Sequence, residues 1–113
     1  MSKQARKVHN KLVRDKIPEY LENKGIKAEI RVLDSVEYDA ALAAKQAEEF
    51  NEQRSAKTLS EAAEEFADEL EVLRARIAFV GLSLEEIEEI RVKKYKERGG
   101  FTERILLIET YEG

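Results

Sequence analysis

Between Leu59 and Val80, the apolar residues Leu59, Ala63, Phe66, Leu70, Leu73, Ile77 and Val80 recur at alternating spacings of four and three. Only a helix gathers residues so spaced onto one face, so this repeat restricts the fold more than any other feature of the chain. It predicts a helix from about Leu59 to Val80. "TLSE" (58–61) opens it, Thr58 bonding forward while Glu61 reaches back, and Gly81 ends it. A seam of this length needs apolar cover, and the rest of the chain offers little. Asp34 or Ser35 caps a second helix running through Arg54, but its stripe of Val36, Ala40, Ala43, Ala47 and Phe50 is mostly alanine. Small side chains permit close approach and bury little area.

"SLEE" (83–86) opens a further helix, with Leu84, Ile87 and Ile90 inward and Lys93, Lys94, Lys96 and Arg98 towards its end, where bases complement the helix dipole. "GG" (99–100) stops it. Near the start, "KLVRDKIPEYLENKG" (11–25) reads as a short helix, Pro18 in its first turn and Gly25 closing it. Alternation in "KAEIRVL" (27–33) and the apolar run in residues 104–110 predict two short strands that pair. Two long helices and a third do not close a four-helix bundle. The expected fold is therefore mainly α: a helical bundle completed by oligomerisation, most economically a dimer that pools helices from two chains, with a short two-stranded β element.

At 113 residues, 42% hydrophobic and 39% charged, the chain is expected to form one domain, residues 1–113, with one modest core. No apolar run is long enough to cross a bilayer, and the basic start "MSKQARK" lacks the apolar stretch of a signal peptide, so a cytoplasmic address is expected. The absence of cysteine excludes a disulfide framework and any thiolate ligand or nucleophile. A net charge of −4 argues against a general nucleic-acid binder. The charge is segregated, however: bases crowd the N-terminus and "RVKKYKER" (91–98), while acids dominate residues 48–71 and 85–89. Such a division suits a site where acids hold a metal and bases an anion, and it also suits ordinary surface helices.

Residues 48–68 are the densest acidic stretch, with Glu48, Glu49, Glu52, Glu61, Glu64, Glu65 and Asp68. Residues three apart share a helix face, so Glu49 pairs with Glu52 and Glu65 with Asp68. With Phe50 and Phe66 taken as the inward direction, both pairs fall on the same flank. If the two helices run antiparallel, the four carboxylates converge at one level. Unneutralised, they would oppose ionisation or folding. Oxygen-only ligation suits a hard divalent ion, Mg²⁺ before Mn²⁺. Twenty of the residues are Glu, so acidic spacings also arise by chance, and "EEIEE" (85–89) reads as a plain first-turn surface.

The order Glu48-Glu49-x-x-Glu52, twelve residues, then Glu65-x-x-Asp68 resembles the EExxE…ExxD signature of MazG-like all-α nucleoside triphosphate pyrophosphohydrolases. "NKLVRDKIPEYLENKG" (10–25), "EEFADELEVLRA", "GLSLEEIEEIRVKKYKERGGF" and the final "ERILLI" look like blocks of that superfamily's phosphoribosyl-ATP pyrophosphohydrolase-like subgroup, over roughly residues 9–108. The resemblance implies an oligomeric helical bundle, Mg²⁺ on Glu49, Glu52, Glu65 and Asp68, and cleavage of a nucleotide to a monophosphate and pyrophosphate. Glu48 would be a supporting acid, and Glu48, Glu49 and Glu52 form the catalytic group. The expected activity is a house-cleaning nucleoside triphosphate pyrophosphohydrolase. The alternatives are phosphoribosyl-ATP pyrophosphohydrolase of histidine biosynthesis and a non-catalytic helical dimer on the same scaffold.

An anionic substrate needs donors. Lys94 and Arg98 lie one turn apart on one helix face and are the first candidates, against a solvated helix end. Lys11, Arg14 and Lys16 follow because they lie in a resembling block, against salt bridges that tie this segment to acidic helices. Asn10 contacts a base or caps a turn, His9 is idle, and Tyr95 and Phe101 pack in the core rather than stack on a base. Gln46 and Gln53 depart from the family pattern, which would place Leu- or Phe-like residues there. Buried amides need partners, so they border a wet site or bond across a subunit interface.

Overall fold

Helix boundaries in this chain are set by bonds only a few residues long. The computed structural model describes residues 6–113, and the basic start at residues 1–5 lies outside them. Four helices follow in order: α1 (Ile17–Asn23), α2 (Ser35–Arg54), α3 (Leu59–Phe79) and α4 (Leu84–Arg98). At α2 the Asp34 carboxylate accepts from the Glu37 N–H, and the Glu37 carboxylate reaches back to the Asp34 N–H, a complete capping box. Thr58 accepts from the Glu61 N–H at 3.1 Å, but Glu61 reaches back one residue further than expected, to the Lys57 N–H. Ser83 caps α4 through the Glu86 N–H. Between α3 and α4, Gly81 has φ +88, and the Gly81 and Leu82 N–H groups close the end of α3 on Ala78 and Ile77.

Helices α2 and α3 form an antiparallel hairpin. Tyr38 at the start of α2 stacks on Phe79 at the end of α3, with ring centroids 5.3 Å apart, while Glu49 meets Asp68 and Glu65 nearer the other end. Leu42, Val72 and Ile77 are the buried apolar residues between them. Helix α4 leans on α3 and packs against neither α1 nor α2.

Two expectations are corrected here. The first is the inward direction. The α2 face turned to α3 carries Tyr38, Leu42, Lys45 and Glu49, and the expected stripe lies open, with Val36 82% and Phe50 49% exposed. On α3 only Ile77 of the seven seam residues is buried, whereas Phe66, Leu70 and Leu73 stay substantially exposed. The hairpin closes on Tyr38, Leu42, Lys45 and Glu49 of α2, so most of both expected stripes remains without cover.

The second is the β element. Residues 27–33 and 104–110 form no strand in this chain, and no backbone hydrogen bond joins the two segments. The first is anchored at the head of α2, where Arg31 grips Glu37 with two N–H groups at 3.0 and 2.8 Å. The second leaves from the far end of α4, which does not return to α2. Without a partner strand, each keeps its apolar side chains in water: Ile30, Val32, Ile105, Leu106, Leu107 and Ile108 are all exposed.

Candidate metal centre

Glu49 is the one buried charged residue among the described residues, 5% exposed at the α2–α3 contact. Helical period puts it one turn beyond Lys45 and on the same face as Glu52. From α3, Glu65 and Asp68 face it. One carboxylate oxygen each from Glu49, Glu65 and Asp68 lie within 4.8 Å of one another. Two antiparallel helices thus bring together three of the four acids expected as ligands. Glu52 adjoins Glu65 but lies outside this triplet, on the exposed side.

The triplet is incompletely satisfied. Glu49 Oε2 and Glu65 Oε2 are buried and have no hydrogen-bond partner among the described residues. Leaving such an oxygen unpaired costs about 1–3 kcal/mol, and more for a charged group. Burial, then the adjoining carboxyls of Glu49 and Glu52, pushes Glu65 up to about 7. At neutral pH this carboxyl is poised between a proton and a cation. Hard cations bind oxygen at about 2.0–2.6 Å, which puts opposite ligands about 4–5 Å apart, so a triplet within 4.8 Å could hold one. The donors are all oxygen, which disfavours softer metals.

Three basic side chains border the cluster. Lys45 Nζ lies 3.2 Å from Glu49 Oε1 and 3.6 Å from Glu48 Oε2. Burial opposes the Lys45 ammonium, but Glu49, Glu48 and Glu52 together raise its pKa. Lys11 Nζ lies 3.1 Å from Glu48 Oε1, and Arg14 Nη2 donates to Asp68 Oδ1 at 2.6 Å. The hydrogen bond from Lys11, with some opposition from burial and help from Lys45, holds Glu48 below its ordinary range. Glu48 therefore sits beside the triplet as a half-buried, doubly paired acid.

Sequence reasoning passed over Lys45. Its signal was present, as it precedes Glu48 by three residues and Glu49 by four, the spacings of neighbours on a helix. Lys11 and Arg14 reach the cluster through the salt bridges weighed for them. Lys16 caps α1 with its backbone and is exposed. Lys94 and Arg98 are exposed on α4, and no ion pair among the described residues joins them to the acids.

The other candidates fall as follows. Gln46 accepts from Arg76 across the α2–α3 contact, so its amide is answered within the chain, and Gln53 is half-buried. Asn10 has φ +47 and lines, with Lys11, Leu12, Lys45 and Glu48, a small cavity of about 100 Å³. His9 is exposed. Tyr95 and Phe101, expected in the core, are 59% and 98% exposed because α4 has no helix to pack its far end against. On the open face of α2, Ala43, Gln46, Ala47 and Phe50 line, with Glu69, an open groove of about 320 Å³, and no residue of the triplet lines it.

No protein-family model matches the chain, and no curated protein or solved structure matches it. Function has to be read from the chemistry of the site. No helix among the described residues is long and apolar enough to cross a membrane.

Proposed function

We propose that this protein is a divalent-cation-dependent nucleotide pyrophosphohydrolase, converting a nucleoside triphosphate and water to a nucleoside monophosphate and pyrophosphate. One observation carries the reading: three carboxylates from two antiparallel helices meet within 4.8 Å, two of them with buried oxygens that have no partner among the described residues. The EExxE…ExxD order of these residues supports the same chemistry. Glu49, Glu65 and Asp68 would hold Mg²⁺, with Glu52 as fourth acid and Mn²⁺ as substitute. A bound ion supplies charge neutralisation for phosphate oxygens and acidifies water.

The chain's own groups do the rest. Glu52, the exposed acid at the edge of the triplet, receives the proton of the attacking water, with Glu48 beside it held by Lys11 and Lys45. Arg14 and Lys11 are already at the edge, on Asp68 and Glu48. Once those acids are neutralised otherwise, the guanidinium can take phosphate oxygens with two N–H groups and the ammonium as a point charge. Lys94 and Arg98 would serve the site only from a neighbouring subunit or a moved α4.

An assembled form belongs to this proposal. The chain exposes 11087 Å², against about 6,300 Å² for a compact folded chain of its mass. Its radius of gyration is 19.8 Å, where about 13 Å is ordinary for this length. Three buried apolar residues are too small a core for independence. A homodimer or homotetramer that covers the open stripes of α2 and α3 removes both anomalies.

The test is release of pyrophosphate rather than orthophosphate from a (d)NTP panel with Mg²⁺, phosphoribosyl-ATP included. Glu49→Gln and Asp68→Asn should each lower turnover by more than about a hundredfold, since even supporting residues of metal sites are worth about 10–100-fold. Helical circular dichroism should stay nearly intact. Full activity in both variants would exclude the metal assignment. A second reading has its own observation: Lys45, Lys11 and Arg14 already neutralise much of the cluster, as a purely structural network would. Calorimetry showing no Mg²⁺ binding, with or without a nucleotide analogue, would favour that non-catalytic helical dimer.

A further inference from the structure

Beyond α4 the chain carries Ile105, Leu106, Leu107, Ile108 and Tyr111, each between 75% and 87% exposed. A run with apolar residues on both faces has the pattern of a strand covered on both sides, not that of a solvated tail. The path into it is built by the backbone. Gly99 has φ +80, and a Cβ on Gly100 would lie 3.2 Å from the Tyr95 ring, so the two glycines set the exit from α4. A turn follows, the Arg104 N–H donating to the Phe101 carbonyl, with Arg104 itself at φ +60. This exit leads the segment off its own bundle.

A second segment has the complementary need. Ile26, Ile30 and Val32 are 50–89% exposed, and residues 27–33 have no backbone partner. Each segment has about seven residues, or roughly 23 Å of strand. Their charges are opposite: Lys27 and Arg31 outnumber Glu29 in residues 26–32, and Glu109 is the one charge of residues 105–111. Both are fully described in the single chain, and they do not meet there.

We infer that residues 105–111 are an exchanged arm, pairing strand to strand with residues 26–32 of a second copy of this chain. Area favours that occupant. A standard interface takes about 800 Å² from each partner. The excess exposure of this chain is several times larger, enough for helix-to-helix contact and an exchanged arm together. Pairing satisfies two open backbone edges at once and sets bases against an acid. The arm needs only an assembled chain, whatever reaction the carboxylates perform.

The chain has no cysteine, which makes a disulfide test clean. Leu107→Cys protein is mixed in turn with Ala28→Cys, Ile30→Cys and Val32→Cys protein in a glutathione redox buffer, folding being checked by circular dichroism. At least one mixture should yield the mixed disulfide at tenfold or more over either like-with-like disulfide. Amides of residues 105–111 in the unsubstituted protein should exchange with deuterium at least tenfold more slowly than in an unstructured peptide of that sequence. Mixed disulfides at no more than the like-with-like level for all three pairs would overturn the inference. So would an intramolecular bond in chains carrying both substitutions, which would show the arm folding back on its own bundle. Neither readout uses turnover, so failure here leaves the pyrophosphohydrolase reading standing, and failure of that reading leaves the arm.

Discussion

The two sides of the α2–α3 hairpin invert the usual expectation. The closed side holds Glu49, Glu65, Asp68 and Lys45 above a short apolar stretch of Leu42, Val72 and Ile77. The open side holds Phe50, Phe66, Leu70 and Leu73, the larger apolar area. A single chain ordinarily buries its apolar faces first, because that transfer dominates folding. Here the charged contact is made within the chain, and the apolar faces stay open. The contrast teaches that the hairpin sets a carboxylate cluster that could hold a metal ion on one side and an uncovered apolar face on the other.

The largest test of this contrast sets an inner residue against an outer one. Leu42→Ala, at 3% exposure, should cost about 2–5 kcal/mol and lower the unfolding midpoint at every protein concentration. Phe66→Ala should cost about 2 kcal/mol or more in association and act mainly through the concentration dependence, seen by light scattering after size exclusion. If both substitutions behaved alike, the two sides would not be distinct.

Next in size is the cation. Mg²⁺ at a hundred times its dissociation constant should stabilise the fold by about 2.7 kcal/mol, and chelation should reverse this. Glu65→Gln should shrink the gain, while substituting Phe66 should leave it.

Smaller again is the pH effect of Glu65. Its carboxyl titrates near 7 in the fold, against an ordinary value of 4.5. The unfolded chain gives up this proton more readily, so the group opposes folding fully above pH 7 and less as pH falls towards 4.5. Metal-free protein should therefore melt higher at pH 6 than at pH 8, and Glu65→Gln should flatten that difference. Mg²⁺ should stabilise more at pH 8, where no proton competes.

The smallest effect lies at the exposed Arg31–Glu37 pair. Its hydrogen bond with Arg31, then the Asp34 N–H, holds Glu37 at about 2. That stabilisation is present above the ordinary range and lost as pH falls through 2. Arg31→Ala should move the Glu37 titration upward in a carbon-detected NMR series, with little change in melting.

Much of the local structure was legible. Asp34, Thr58 and Ser83 start their helices because a cap acts within three residues, and Gly81 and Gly99 end theirs because few other residues tolerate that backbone. Three of the four acids that spacing singled out, Glu49, Glu65 and Asp68, do meet, because the two helices run antiparallel, a condition the spacing left open. Lys45 was readable by the same spacing and was passed over for want of a reason to look at a lone base among alanines. The packing direction was not readable. Phe50 and Phe66 pointed to an inward stripe, and apolar period says only that a face wants cover, not what covers it.

The amino-acid order alone determined where helices begin and end and which acids share a face, since those depend on bonds and rotations a few residues long. Tertiary structure alone decided that the acids turn inward, that Arg14 reaches Asp68 from 54 residues away, and that residues 27–33 and 104–110 stay apart in one chain. Those outcomes depend on which surfaces meet, and a pattern along one strand of sequence carries no record of a surface supplied from elsewhere.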